Sequence, residues 1–96
     1  MKYVVLYESA DDVASTAPAH FPAHVARYQA FVARGELLMI GTFADPQQNG
    51  SMGIFSSRAA AEEFARGDPF VLKGVVRSWR LLEWNEVLVV DAEPAR

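Results

Sequence analysis

The sequence predicts an α+β fold in which four strands and two helices follow one another as β-α-β-β-α-β. Short runs rich in valine, isoleucine and aromatic residues are separated by two stretches with the apolar period of a helix. Proline and glycine stand at most of the boundaries between these runs. Because strand–helix–strand crossovers are right-handed, this order predicts a ferredoxin-like sandwich, with an antiparallel sheet in the order 4-1-3-2 and both helices on one face.

The first half of the chain predicts a strand, a loop, a helix and a second strand. These span residues 2–8, 11–21, 22–34 and 36–43 in turn. Pro18 predicts a break within the loop, whereas Pro22 is allowed as the first residue of a helix, where no N–H partner is needed. Gly35 suits the position just past the helix end. His24 is therefore expected in the first helical turn.

The second half predicts a turn-forming loop at 44–50, a third strand at 51–55 and a second helix at 58–66. Asp68-Pro69 then predicts a helix start, because aspartate caps free N–H groups and proline suits the first turn. Gly74 predicts a sharp stop before a fourth strand at 75–84. One domain is expected over 1–91, with 92–96 frayed. The strand-like run 87–90 could pair with an edge strand of its own sheet or of a partner's.

Both faces of the predicted sheet carry apolar side chains. In the first strand Val5 and Tyr7 alternate with Val4 and Leu6, and the other strands alternate in the same way. Two helices can cover one face only, and a chain of 96 residues has nothing left for the other. We therefore expect a homodimer joined through the free sheet face, forming a dimeric α/β barrel.

Composition limits the classes of partner and chemistry. A net charge of −3 without a basic cluster argues against nucleic acid. The absence of cysteine excludes disulfides and thiolate sites, and two histidines are too few for an all-protein metal cage, so no metal or cofactor is expected. No apolar run reaches the roughly 18 residues of a membrane span, and the opening segment reads as a strand instead of a signal peptide. A cytoplasmic location without a membrane partner is expected.

Asp68 and His24 are the candidates for chemistry. Asp68 stands at a tight corner between a helix and a strand, and its simplest role is that of a helix cap. His24 alone could equally be a surface or interface histidine, and His20 is a lesser candidate. If the two side chains meet, the carboxylate could orient the imidazole, which would make it a competent general base.

The chain resembles the YCII-related (YciI-like) family over nearly all of residues 1–84. The matching features are the strand ending near Tyr7, Pro22-Ala23-His24 followed by Tyr28, Leu37-Leu38 before Gly41, Phe43-Ala44-Asp45-Pro46, Asp68-Pro69-Phe70, Gly74-Val75 and Trp84. Two departures are Phe21, where the family often has a basic residue, and Thr42, where it often has proline. These departures weaken any inference of an anionic substrate.

The resemblance implies a dimeric ferredoxin-like α+β barrel with a His/Asp pair in a small pocket, which maps to His24 and Asp68. Four aromatic residues are candidates for lining that pocket, although each could equally belong to the core or the dimer interface: Tyr7, Phe43, Phe70 and Trp79.

Three functions remain open at this point. The first is a small cofactor-independent enzyme, an isomerase or a lyase of the dehydrochlorinase type, in which His24 moves a proton on a small organic molecule and Asp68 fixes its tautomer. Muconolactone isomerases and a dehydrochlorinase of aromatic breakdown are the analogies that the resemblance offers. The second is a non-catalytic ligand-binding or accessory domain that uses the same pocket. The third is a cofactor-independent monooxygenase of the same superfold.

Overall fold

The protein has four strands and four helices in a computed structural model that describes residues 1–90. The elements in chain order are β1 (Lys2–Ser9), α1 (Val13–Ala33), β2 (Leu37–Thr42), α2 (Pro46–Asn49), β3 (Ser51–Phe55), α3 (Arg58–Gly67), α4 (Pro69–Leu72) and β4 (Val76–Trp84). The two long helices, α1 and α3, fill the predicted helical places. The two one-turn helices, α2 and α4, precede β3 and β4.

The strands form one antiparallel sheet in the order β2-β3-β1-β4. This is the predicted 4-1-3-2 order read from the opposite edge, and it confirms the ferredoxin-like arrangement. β1 lies in the middle and pairs with β3 on one side and β4 on the other. The register shifts between Leu37 and Met39, which places Leu37 in the core and leaves Met39 67% exposed. The expected strict alternation along β2 is therefore wrong at this point.

α1 begins at Val13, so the predicted loop at 11–21 is helical and Pro18 and Pro22 both lie inside the helix. The start of α1 is fixed by Gln47 of α2, whose Oε1 accepts a hydrogen bond from the Val13 N–H at 3.1 Å. The same amide donates through Nε2 to the carbonyl of Ala10 at 2.6 Å. These contacts come from 34 and 37 residues away along the chain. Local proline signals could not reveal them.

The corner before β4 is built as the sequence predicts. Asp68 caps α4 by accepting a hydrogen bond from the Phe70 N–H at 3.1 Å, and Pro69 takes the first helical position. Gly74 adopts a φ of 76°, a conformation that favours glycine, and the chain turns there into β4. The loop predicted at 44–50 is in part the helical turn α2.

The core lies between the sheet and the helices α1 and α3. It contains apolar residues from all these elements, and the most deeply buried are Phe55, Ala61, Phe64, Ala65 and Val75. Residues on the other face of the sheet stay uncovered within the described chain. Leu82 is 44% exposed there and Trp84 is 49% exposed, which confirms that both faces of the sheet are apolar.

The segment after β4 forms no strand through residue 90, so the run 87–90 does not pair with its own sheet, while pairing with a partner's edge strand stays a prediction. Its apolar side chains are exposed, and Val87 is entirely so. Glu86 ties the segment to the start of β1 through ion pairs with Lys2 at 2.8 Å and the Met1 amino group at 2.9 Å. The tail expected to fray at 92–96 lies outside the described residues. Within residues 1–90, no helix is long and apolar enough to cross a membrane.

Candidate active site

The buried carboxylate of Asp68 is the centre of the site. The side chain is fully buried, and it stands at the corner of the chain where α3 ends and α4 begins. Its two oxygens accept hydrogen bonds from three donors that come from different parts of the chain. Besides the Phe70 N–H, these are the Tyr7 hydroxyl at 2.6 Å and a ring nitrogen of His24. The capping role and the pairing role, set out above as alternatives, are both filled by one side chain.

His24 reaches Asp68 from the middle of α1. Its Nδ1 lies 2.9 Å from Oδ1 and 3.1 Å from Oδ2, so the expected contact between the two side chains is present. The expected place of His24 in a first helical turn is wrong, because α1 starts at Val13, eleven residues earlier. The contact survives this correction because α1 runs antiparallel to β1. Residue 24 therefore still lies over the end of the sheet where β4 begins.

The contact with Asp68 fixes which ring nitrogen carries the proton. An ionised carboxylate can only accept hydrogen bonds, so Nδ1 must donate. In the neutral ring Nε2 is then the nitrogen with a free lone pair. Among residues 1–90 no group hydrogen-bonds Nε2, and no fully buried side-chain nitrogen or oxygen is left without a partner. Nε2 is consequently accessible from the adjacent cavity.

Tyr7 supports the carboxylate from the central strand. Burial, together with the neighbouring negative charge of Asp68, raises the pKa of the Tyr7 hydroxyl well above its usual range. The phenol thus keeps its proton and acts as a donor to Oδ2. With this bond made, the carboxylate is satisfied on both oxygens and held rigidly against His24.

Aromatic rings fix the orientation of the imidazole. Phe70 stacks on His24 with the ring centroids 4.0 Å apart and the planes 4° from parallel. Tyr28, one helical turn further along α1, meets it edge to face with centroids 5.3 Å apart. These contacts leave the ring little freedom to turn about its bond to the chain. Nδ1 is thereby kept on the carboxylate and Nε2 on the cavity side.

A cavity of about 260 Å³ lies between α1 and the sheet beside His24. Its floor is made of two rows of residues, and within each row the residues lie side by side on β1, β3 and β2. One row is Tyr7, Ser51 and Thr42, and the other is Val5, Gly53 and Ile40. Its roof is one face of α1, carrying Phe21, His24 and Tyr28. The rings of Phe55, Phe64 and Phe70 close the inner side.

Two of the four predicted aromatic lining residues lie in this cavity and two do not. Tyr7 and Phe70 line it. Phe43 lies beyond the end of β2 and is 40% exposed. Trp79 packs on the core cluster near α3, with the Arg66 guanidinium 5.7 Å from its ring. For Phe43 and Trp79 the structure thus favours the alternative positions outside the cavity. His20 does not line the cavity either.

Sequence reasoning missed several lining residues, among them Phe21, Tyr28, Ser51 and Gly53. The signal for the first two was available: they lie three residues before and four residues after His24, which places all three on one helix face. For the strand residues the signal was absent. Which of the two faces of β3 meets the cavity depends on its register with β1.

The geometry suits the removal of a proton from a small bound molecule. Nε2 offers an accessible lone pair, and a negative charge on Asp68 would stabilise a positive charge on the ring. Within residues 1–90, no three His, Asp or Glu side chains are grouped so that they could hold a metal ion. The described residues therefore offer organic acid–base groups, enclosed by aromatic rings.

Comparison with known proteins identifies the family. A model of the YCII-related domain matches residues 1–85. The chain belongs to the YCII-related family. No curated protein matches it. Among solved structures, this YCII-related chain is similar to 5-chloro-2-hydroxyhydroquinone dehydrochlorinase (TftG) from Burkholderia phenoliruptrix AC1100 in complex with 2,5-dihydroxybenzoquinone, with a TM-score of 0.70 and 17% identity over 88% of this chain and 94% of that chain. At this identity the similarity establishes the fold alone.

Proposed function

We propose that this YCII-related protein is a small-molecule enzyme of the lyase or isomerase type that needs no cofactor and uses His24 as its general base. The observation that carries the proposal is the contact of Nδ1 with the buried Asp68 carboxylate at 2.9 Å, which turns Nε2 toward a cavity of about 260 Å³. A surface histidine or a mere helix cap would not need this arrangement.

The proposed reaction begins with proton transfer to Nε2 from an acidic position of the substrate, such as a carbon next to a carbonyl or a hydroxyl group on a ring. The imidazolium that forms is stabilised by Asp68, which keeps Nδ1–H in place. The electron pair left on the substrate then either expels a leaving group or moves a double bond. Return of the proton from Nε2 to another atom of the substrate completes an isomerisation, and its release to water completes an elimination.

The structural neighbour supports the eliminating version. TftG is a dehydrochlorinase, and its substrate is a small hydroxylated ring. Loss of hydrogen chloride from such a ring requires that one hydroxyl become a carbonyl while its proton moves to the chlorine-bearing carbon. A base then removes a second hydroxyl proton as chloride leaves, and no oxidant or reductant is consumed. The site around His24 can supply that base. The monooxygenase alternative has no observation of this kind in its favour.

The test combines two assays. Small hydroxylated rings and cyclic ketones are incubated with the protein in D₂O, and proton NMR follows the exchange of carbon-bound hydrogen. Chloride release from 5-chloro-2-hydroxyhydroquinone is followed separately. His24→Asn keeps an N–H donor close to the position of Nδ1 but has nothing in place of Nε2. Loss of a general base lowers a rate by about 10²–10⁴-fold.

His20→Asn is the matched control, because His20 lies one turn earlier on α1 and does not line the cavity. The proposal expects this control to keep the wild-type rate. Exchange that continues unchanged in His24→Asn would refute it. A protein that binds these rings but turns none of them over, with His24→Asn losing affinity only, would be the non-catalytic binding domain considered above.

We further propose that the working form is a homodimer joined through the free face of the sheet, as in a dimeric α/β barrel. The exposed apolar side chains of Met39, Leu82 and Trp84 support this, since a monomer seldom leaves such a continuous face in water. The dimer is expected to bury an area of standard size or more, about 1,600 Å² in total.

A further inference from the structure

Gly53 lies in the middle of the cavity floor. This residue stands between Val5 and Ile40 in a row of facing side chains on the three neighbouring strands. A Cβ at this position would lie 3.1 Å from Cε1 of Phe55 and 3.5 Å from Cδ1 of Leu37. Those two side chains therefore already cover the side of Gly53 that a side chain would occupy, and the ring of Phe55 forms this part of the cavity wall.

Two hydroxyl groups stand beside Gly53 on the cavity floor. Ser51 and Thr42 face each other in the row that begins with Tyr7. The Tyr7 hydroxyl is engaged with Asp68, but within residues 1–90 the Ser51 and Thr42 hydroxyls hydrogen-bond no other protein group. A hydroxyl can both donate and accept, so this pair suits an uncharged oxygen such as a phenol or a ketone.

The described part of the cavity lining contains no lysine, arginine, aspartate or glutamate. The nearby Arg27 is engaged elsewhere, donating to the carbonyls of Glu63 at 2.7 Å and Phe64 at 3.2 Å. The His24–Asp68 pair carries either no net charge or one negative charge, depending on whether the ring is protonated. A carboxylate ligand would thus lose water without meeting a positive group, which is unfavourable.

We propose that the cavity selects an uncharged single-ring molecule with hydroxyl or carbonyl oxygens, whose oxygen far from His24 is held by Ser51 and Thr42. The inference rests on the proposed function, because the ring must present its acidic proton to Nε2. The volume of about 260 Å³ exceeds the roughly 150 Å³ of a protein cavity that admits benzene, so one ring with small substituents fits.

The test is a comparison of equilibrium binding by isothermal titration calorimetry. The probes are resorcinol and 2,4-dihydroxybenzoate, which differ only in a carboxylate. Binding of resorcinol at least about tenfold tighter than the benzoate is expected, since an unpaired charge costs more than the equivalent 1.4 kcal/mol on burial. Equal or tighter binding of the benzoate, or no binding of resorcinol at millimolar concentration, would overturn the proposal.

Two variants test the hydroxyl pair. Thr42→Val removes one hydroxyl without a change of shape, with an expected loss of about two- to tenfold in resorcinol affinity, and Ser51→Ala should cost a similar factor. Thr16→Val on α1 is the matched control, because Thr16 does not line the cavity, and it should bind resorcinol as the wild type does.

Thermal unfolding shows whether each variant is folded, and Ser51→Ala provides the test if Thr42→Val is not folded. Unchanged resorcinol affinity in the folded variants would overturn the proposed role of the two hydroxyls. Because these measurements follow binding only, they are separate from the test of proton transfer. Preference for the anion would reject the neutral-ring proposal and leave His24 as the base. Preference for resorcinol without any turnover would reject proton transfer alone.

Discussion

Replacing Asp68 by asparagine should destabilise the protein far more than the loss of a helix cap. Asparagine caps a helix almost as well as aspartate, so a residue with that role alone would lose a few tenths of a kcal/mol at most. Asp68, however, accepts from the Phe70 N–H, the His24 Nδ1–H and the Tyr7 hydroxyl. Asparagine has one acceptor oxygen in place of two, and its NH₂ group must face one of these donors.

The cost follows from this count of donors and acceptors. If the amide oxygen turns to Phe70 and His24, the Tyr7 hydroxyl loses its acceptor in a buried place. A buried polar group without a partner costs about 1–3 kcal/mol, and a hydrogen bond to a charged group contributes about 1.5–3 kcal/mol. We therefore expect Asp68→Asn to lose about 2–3 kcal/mol. For a chain of 96 residues this lowers the Tm by about 10–20 °C.

The assay is a double-mutant cycle that combines Asp68→Asn with Tyr7→Phe. The stability of each variant is measured by urea unfolding at one fixed protein concentration. Tyr7→Phe removes the donor that asparagine leaves unpartnered. The free energy of unfolding lost in the double variant should therefore be smaller, by about 1 kcal/mol or more, than the sum of the losses in the two single variants. In ¹⁵N NMR of the histidine ring, the proton should be held on Nδ1 in the wild type, whereas in Asp68→Asn the other tautomer can compete. Additive losses within about 0.5 kcal/mol, or an Asp68→Asn loss of a few tenths, would refute the buried network.

Two further predictions concern the sheet face and the segment after β4. Leu82→Lys should convert the proposed dimer to a monomer, as measured by light scattering. Leu72 is also apolar and exposed but lies on α4, so Leu72→Lys should leave the dimer intact. A wild-type monomer at micromolar concentration would contradict the dimer. Hydrogen bonds from Lys2 and the Met1 amino group lower the pKa of Glu86 from 4.5 to about 2. A carboxylate with a lowered pKa stabilises the fold at pH values above its unfolded pKa and ceases to do so as the pH falls through its folded pKa. Glu86→Gln should accordingly be less stable than the wild type at pH 7, with a difference that declines between pH 4.5 and 2; a pH-independent difference would show that the ion pairs are not its cause.

Local signals were enough to predict most of the fold, and the Asp68-Pro69 pair predicted the cap of α4. The pairing of Asp68 with His24 was implied by the resemblance to the YCII-related family, because spacing alone could not decide whether the two side chains meet. The predictions were wrong where a contact between residues far apart in the sequence determines the structure. The start of α1 depends on Gln47, whose contact with Val13 overrides the proline signals that favoured a loop.

The lining of the cavity was predictable only in part for the same reason. Phe21 and Tyr28 follow from helical spacing around His24 once the helix is known to extend that far. The roles of Ser51 and Gly53 depend on how β3 is aligned with β1, and a shift of one residue would have turned both to the other face. Composition and periodicity do not determine that alignment.

The hydrogen bonds of the site join residues that lie far apart along the chain. His24 and Asp68 are separated by 44 residues along the chain, and Tyr7 and Asp68 by 61. Contacts between such distant residues must overcome the entropy of closing a long loop, and they form slowly relative to local turns. A partly folded chain that already has β1, α1, β2 and β3 still lacks the carboxylate, which arrives with the last third of the sequence. In the proposed function His24 is therefore oriented as a base only once residue 68 has packed against β1 and α1, which makes the last third of the sequence necessary for the site.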